Sequence, residues 1–150
     1  MRVLIQRVKK ASVTIEGEIF SEINQGLLIL LGIETEDSQE DIDWLASKIA
    51  RLRIFSDEND AMNLSVQDVG GDCLVVSQFT LHASTKKGNR PSFINAAKPE
   101  TAIPLYEKFV LHLENETNRN IKTGSFGAMM DVALINDGPV TIWMDSKKRE

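Results

Sequence analysis

Cysteine occurs once in the 150 residues, at Cys73, so no internal disulfide can form. It lies in the apolar run Cys73-Leu74-Val75-Val76, where a small buried hydrophobe is the expected role. Histidine occurs twice, as His82 and His112. There is no CxxC, HExxH or Walker motif, so the usual ligands of zinc and of P-loop nucleotide chemistry are missing and no metal or cofactor is expected. Gly124-Ser125-Phe126-Gly127 is not a GxSxG nucleophile elbow. No segment approaches the roughly 18 continuous apolar residues of a membrane span. The opening Met1-Arg2-Val3-Leu4-Ile5-Gln6-Arg7 breaks into charge too soon for a secretory signal, which makes a cytoplasmic location the default. Excess positive charge is absent too. The net charge is −5, whereas proteins that wrap nucleic acid through its phosphates are usually basic. That disfavours a broad nucleic-acid surface but allows an enzyme that grips only the end of an RNA.

The length suits one domain spanning residues 1–150, and 42% hydrophobic with 26% charged residues is ordinary for a globular chain. Residues 2–8 and 11–16 read as two strands, turned at Glu16-Gly17-Glu18. The unbroken apolar run Gly26 to Ile33 suits a central strand covered on both faces. A first helix opens at Ser38, with Ile42, Leu45, Ile49 and Leu52 as its buried stripe, and should stop near Arg53. Residues 72–83 read as strand and Lys86 to Pro91 as loop. A second helix runs from about Pro99 to Asn115 with Leu105, Phe109 and Leu113 inward; Pro104 is tolerable there only in the first turn. Residues 128–135 and 139–145 read as paired strands around Asn136-Asp137-Gly138. Five to seven strands with two helices give a compact mixed α/β domain.

The catalytic inventory is thin. A Ser77–His82–Asp triad is arithmetically available, but residues five apart on one strand point to opposite faces. Both histidines otherwise read as surface or partly buried. Two segments stand out. Ser77-Gln78-Phe79-Thr80-Leu81 gathers two hydroxyls, an amide and an aromatic where an apolar strand ends. Asn136-Asp137-Gly138-Pro139-Val140-Thr141 joins a turn signal to a proline, which cannot donate to a strand ladder and whose preceding bond can be cis. Each segment alone is ordinary turn chemistry.

Together, and in this order, they resemble the D-aminoacyl-tRNA deacylase family. The resemblance covers essentially the whole chain. It includes Gln6-Arg7-Val8, Lys87-Gly88-Asn89-Arg90-Pro91-Ser92-Phe93, and Thr123-Gly124-Ser125-Phe126-Gly127-Ala128-Met129-Met130. It implies a mixed-sheet α/β domain of β/β/α layers. It also implies a homodimer with active sites at the subunit interface, where a cis Gly138-Pro139 of one chain enters the partner's site. The activity implied is hydrolysis of the ester between a D-amino acid and the 3′ end of tRNA, a proofreading step of translation.

A mechanism that fits these residues uses rigid backbone to tell hands apart. Carbonyls of a cis Gly138-Pro139 would accept the substrate's α-ammonium and block an L side chain, so glycine should also enter. The resemblance suggests Arg7 as the guanidinium that holds such carbonyls, although a surface role is the plainer reading. Backbone N–H groups around Gln78 and Phe79 would face the developing oxyanion. Ser77 would position the terminal adenosine. Thr80 is a candidate nucleophile without an evident base, so a route in which the neighbouring ribose 2′-hydroxyl activates water is favoured. Ala102, Phe126 and Met130 are candidate adenosine walls and equally read as core packing. Lys86, Lys87 and Arg90 would reach acceptor-end phosphates or simply be solvated. Two rival functions stand beside this one. A non-catalytic tRNA- or DNA-binding module would bind in a salt-dependent way without ester turnover. A small-molecule ester hydrolase would act equally on free D-amino-acid esters.

Overall fold

The computed structural model describes residues 1–150. Strand β1 runs unbroken from Arg2 to Ile15 and carries three neighbours. Its first half pairs with β3 (Gly26–Gly32), its second half with β2 (Glu18–Ile23), and nearly its whole length with β8 (Asp131–Asp145), all antiparallel. The sequence reads as two strands, residues 2–8 and 11–16, with Lys9-Lys10 between them. The backbone nevertheless continues, held by pairing of Val8 with Asn136 and Lys10 with Ile135. The turn into β2 has positive φ at Glu16 and Gly17, the twist that a tight hairpin needs.

Strand β3 is buried on both faces, as its apolar run requires, and lies parallel to β6 (Asp72–Ser77). A side chain at Gly26 would put its Cβ 1.8 Å from the Asp72 carbonyl oxygen, so only glycine lets these strands start side by side. A two-residue β7 (Lys122–Thr123) follows β6, also parallel, and Ser21 Oγ of β2 donates to the Thr123 carbonyl at 2.7 Å, nearly closing the sheet. Short β4 (Phe55–Ser56) and β5 (Met62–Leu64) form a separate hairpin.

Helices α1 (Gln39–Ala50) and α2 (Pro99–Thr117) cover one face. Between them and the sheet lies the larger core, with Val3, Ile5, Leu27, Ile29 and Leu31 against Ile42, Leu45, Ile49 and Phe109. A smaller core of Val8, Ala11, Val13, Ile23, Leu28, Leu74 and Val76 fills the space between the sheet's two halves. The layers are therefore β, β and α in a mixed sheet, as the resemblance implies. Cys73 is buried, and burial pushes its thiol up to about 12, out of the reactive range.

Several local expectations need correction. Helix α1 ends at Ala50, so Leu52 packs on the core from beyond it. Helix α2 starts at Pro99, which puts Pro104 past the first turn; the unpaired carbonyl four residues back belongs to exposed Glu100. The buried stripe of α2 is Ala102, Tyr106, Phe109, Leu113 and Thr117, with Leu105 at its flank. Tyr106 is drawn inward because its hydroxyl donates to the Val75 carbonyl at 2.9 Å. Strand β6 stops at Ser77, and Phe79–His82 forms a 3-10 turn. The expected hairpin at residues 128–145 is instead the single strand β8, because both parts keep β1 as their partner.

The amino terminus is locked into this frame. The Met1 ammonium is buried and donates to Asp37 and, at 2.9 Å, to Ser146 Oγ. Ser146 Oγ in turn donates to Asp41 at 2.6 Å, and Lys147 reaches Asp41 at 2.9 Å. Burial opposes ionisation of Asp41, but hydrogen bonds from Ser146, Lys147 and the Ser38 N–H outweigh it and hold the carboxyl well below its usual range. Asp145 is lowered in the same manner by the Lys147 N–H and Arg2 against its burial, whereas burial leaves Asp37 raised.

A carboxyl with a lower pKa in the folded state stabilises above its unfolded value, and that contribution fades as pH falls through the folded value. Asp41 and Asp145 act in this sense and Asp37 in the opposite one. Asp41→Asn should therefore cost about 2 kcal/mol at pH 7, from lost hydrogen bonds to a charged group. The deficit should shrink as pH falls below about 4. Urea unfolding of both proteins at neutral and acid pH checks this; an equal deficit at both would show that the Asp41 charge contributes nothing.

Candidate functional site

Where β6 ends, Gln78 turns the chain out of the sheet and the 3-10 turn Phe79–His82 begins. The turn sits against Gly32 at the end of β3, where an added Cβ would meet the Gln78 carbonyl oxygen and Leu81 Cβ at 3.0 Å. Arg2 Nη1 donates to the Leu81 carbonyl at 3.0 Å and fixes the far end of the turn. The Gln78 N–H is already given to the Leu31 carbonyl at 2.7 Å. That corrects the expectation that it faces an oxyanion. The turn's own bonding begins with the Leu81 N–H to the Gln78 carbonyl, so the Phe79 N–H, first in the turn, stands ahead of it.

An apolar cleft of about 340 Å³ opens beside this turn. Ser77, Gln78 and Phe79 form one side; Ala102, Phe126 and Met130 form another. Phe126 meets Tyr106 edge to face at 5.7 Å, which orients its ring. Gly124 leaves room for Met130, since a Cβ there would lie 2.6 Å from the sulfur. Ala97, Met129 and Val132 also line the cleft. Sequence reasoning missed them because isolated small and apolar residues carry no positional signal. A wider cleft, about 530 Å³, lies near Trp44 and Trp143 and contains none of the candidate residues.

Thr80 is exposed, and its Oγ1 accepts from Gln78 Nε2 at 2.6 Å. No base is placed beside it. His82 is buried, both its ring nitrogens are without a hydrogen-bond partner, and burial lowers its pKa. This corrects the reading of His82 as surface or partly buried. His112 lies far along α2 beside Asp43 and Glu116, at 3.2 and 3.6 Å.

The second motif is a bulge in the β1–β8 ladder. Gln6 pairs with Thr141 and Val8 with Asn136, so Arg7 alone stands opposite Asp137, Gly138, Pro139 and Val140. Arg7 spans the mismatch. Its Nε donates to the Asp137 carbonyl at 3.2 Å and lies 3.3 Å from the Asp137 carboxylate; its Nη1 donates to the Ile54 carbonyl at 2.6 Å. Asn136 closes the neck, accepting from the Val140 N–H at 3.3 Å and donating to Thr141 Oγ1 at 3.0 Å. The Gly138-Pro139 bond is cis, and Gly138 has φ +122, which disfavours any side chain. No side chain donates to the carbonyls of Gly138 or Pro139, so Arg7 holds the carbonyl before them rather than theirs.

Comparison with known proteins fits this geometry. Residues 4–145 match the family described as D-Tyr-tRNA(Tyr) deacylase. The chain belongs to this family. It is 68% identical to a D-aminoacyl-tRNA deacylase of Flavobacterium johnsoniae and 61% to one of Bacteroides thetaiotaomicron, each over 100% of both chains. Among solved structures it is similar to a c-Myc DNA Unwinding Element Binding Protein, with a TM-score of 0.90 at 42% identity over 97% of this chain and 98% of that one. A probable eukaryotic D-amino acid tRNA deacylase shares the fold, with a TM-score of 0.82 at 14% identity over 95% and 97%.

Against that family background, the structure brings Ser77, Gln78, Phe79, Ala102, Phe126 and Met130 to one cleft and leaves Thr80 outside its lining. Arg7, Gly138 and Pro139 form a separate unit. Lys86, Lys87 and Arg90 are exposed on their loop and enter no ion pair, although other cations do. No helix is long and apolar enough to cross a membrane. Arg7 spans the mismatch while Asn136 closes only its neck, so Arg7→Met should lower stability by about 2 kcal/mol by stranding the Asp137 and Ile54 carbonyls. Chemical unfolding measures it; an unchanged midpoint would show that the bulge holds itself.

Proposed function

We propose that the chain is a D-aminoacyl-tRNA deacylase, a carboxylic ester hydrolase of translation quality control in the cytoplasm. Water adds to the ester carbonyl, the bond to the ribose oxygen breaks, and a free D-amino acid and uncharged tRNA leave. The observation that carries this reading is the family match across the chain together with a cleft at Ser77-Gln78-Phe79. The apolar cleft of about 340 Å³ suits the terminal adenosine, with Ala102, Phe126 and Met130 as walls and Ser77 as a positioning hydroxyl. The Phe79 N–H serves the developing oxyanion. Thr80 has no base beside it, and its hydroxyl is engaged by Gln78. The neighbouring 2′-hydroxyl of the RNA therefore activates water, without a metal or cofactor of the protein.

Chirality is judged by the partner subunit. Gly138 and Pro139 do not line the cleft of their own chain, which supports a homodimer in which each bulge completes the other's site. Their carbonyls receive the α-ammonium, and an L side chain meets the backbone where a Cα hydrogen passes. Glycine, with no Cβ, is accepted. Arg7 keeps the bulge rigid, and Lys86, Lys87 and Arg90 meet acceptor-end phosphates. The name of one structural neighbour, a DNA unwinding element binding protein, suggests a DNA-binding reading, but a net charge of −5 counts against it.

Deacylation of D-Tyr-tRNA, L-Tyr-tRNA and Gly-tRNA side by side is the primary test. The D and glycyl esters should be cleaved at least about a hundredfold faster than the L ester, a difference of about 3 kcal/mol. In the same assay Thr80→Ala should keep most of its activity, while a tRNA ending in 2′-deoxyadenosine reacts slowly. Equal cleavage of both hands ends the chirality reading, and an acyl group trapped on Thr80 ends the RNA-assisted route.

The cross-subunit arrangement has its own signature. A Cβ at Gly138 would lie 2.9 Å from Arg7 Nη2 and from Val140 Cγ2, so Gly138→Ala should displace the bulge and abolish turnover. Mixed with an inactive chain altered at Ser77 to Phe79, it should regain part of the activity through one intact composite site. Verified subunit exchange without recovery would show that the motif serves its own chain.

A further inference from the structure

At the edge of the cleft, Phe79 meets Phe93 edge to face, with centroids 5.1 Å apart and an interplanar angle of 76°. Phe79 is 55% exposed although it is a large apolar ring, and neighbouring Ile94 is 84% exposed. Nothing in one protomer explains this exposure. The pair is nonetheless anchored. Ser84 and Ser92 exchange backbone hydrogen bonds at 2.8 and 2.9 Å, closing the neck of the loop immediately before Phe93. The Ala96 N–H returns to the Phe93 carbonyl at 3.0 Å, and the Ala97 N–H bonds the Ile33 carbonyl at 2.9 Å. The closed neck carries Lys86, Lys87 and Arg90, exposed, on the loop that leads into Phe93, and all three are free of ion pairs while the chain as a whole is acidic.

Aromatic rings beside unpaired cations are the combination that holds single-stranded nucleic acid, rings for bases and cations for phosphates. We propose that Phe79 and Phe93, with Ile94 and the loop cations, form a second base subsite that takes the penultimate nucleotide of the acceptor end. This rests on the deacylase reading, in which the last adenosine fills the adjoining cleft. Phe79 lines that cleft and Phe93 does not, so the pair leads from the terminal base to the one before it. The rings are steeply inclined and cannot both stack on one base; one offers a face and the other braces it. Every base has a π face, so the subsite is tolerant of base identity but needs a base to be there.

The test compares three D-tyrosyl esters: of adenosine, of a cytidylyl-adenosine dinucleotide, and of the same dinucleotide with an abasic first position. For the unaltered enzyme, KM for the abasic substrate should exceed that for the dinucleotide about tenfold, the scale of one lost base–aromatic stack. Phe93→Ala should raise KM for the dinucleotide by a similar factor, leave that for the adenosine ester alone, and add nothing on the abasic substrate. The abasic comparison needs no variant and so stands even if Phe93→Ala folds poorly. Equal KM for base-bearing and abasic dinucleotides overturns the subsite while leaving the deacylase reading intact. So does an equal effect of Phe93→Ala on all three esters, or its conversion of a dimer to monomers, which would make the pair a protein contact. Failure to cleave any D ester overturns the underlying reading and the subsite with it.

Discussion

A single strand with three partners governs this molecule. β1 must keep register with β3 and β2 on one side and with β8 on the other. Its residues on both flanks of Arg7 are committed to cores: Val3 and Ile5 to the larger, Val8, Ala11 and Val13 to the smaller. A one-residue slip would turn each set to the wrong face. The surplus length of β8 is therefore expelled opposite Arg7, and a single extra residue of β1, Lys9, follows directly after it. The position of the Gly138-Pro139 bulge follows from packing at either end of β1. Its shape comes from Arg7 and Asn136, which replace the ladder bonds that the mismatch removes.

Much of this was legible in the sequence, but unevenly. The apolar run at Gly26 to Ile33 announces a doubly covered strand because burial on both faces leaves no alternation to misread. The stripe of Ile42, Leu45 and Ile49 likewise fixes the inward face of α1. The Asn136-Asp137-Gly138 segment misleads, since local turn chemistry reads as a hairpin while a third strand holds both of its arms. That information is nonlocal. The same holds for β6, whose apolar character ends at Val76 but whose exit depends on Gly32 leaving space in another strand. Pro104 shows that a missing hydrogen bond is tolerable when the orphaned carbonyl faces water.

The two motifs were visible as unusual clusters, yet their spatial separation was not. Ser77 to Phe79 face an apolar cleft together with residues from α2 and the 124–130 segment, while Gly138 and Pro139 stand apart with Arg7. No periodicity in a chain encodes which motif meets which. In the sequence Phe126 and Met130 read equally as adenosine walls or as core packing; the room that Gly124 leaves for the Met130 sulfur appears only in the fold. The turn's anchors, Arg2 to Leu81 and Gln78 to Leu31, were hidden, since they join residues far apart in sequence.

The charged pair at the bulge, Arg7 with Asp137, is a brace, and no base stands beside the hydroxyls of the other motif. Neither hydroxyl of the Ser77–Thr80 segment has a base in reach, and the nearby histidine is buried and kept neutral by burial. What the two motifs supply is backbone held at fixed positions: an N–H at the head of a 3-10 turn, and carbonyls on a braced bulge to which no side chain donates. Backbone groups carry no side-chain selectivity, so they suit a task in which many amino acids must be accepted and one hand refused. Under the proposed reading, discrimination then depends on how little the bulge can yield. An L side chain admitted by even a small retreat of Gly138 would cost the cell correctly charged tRNA. That places the demand for rigidity on Arg7, whose carbonyl contacts to Asp137 and Ile54 tie the bulge to both β1 and the β4 hairpin.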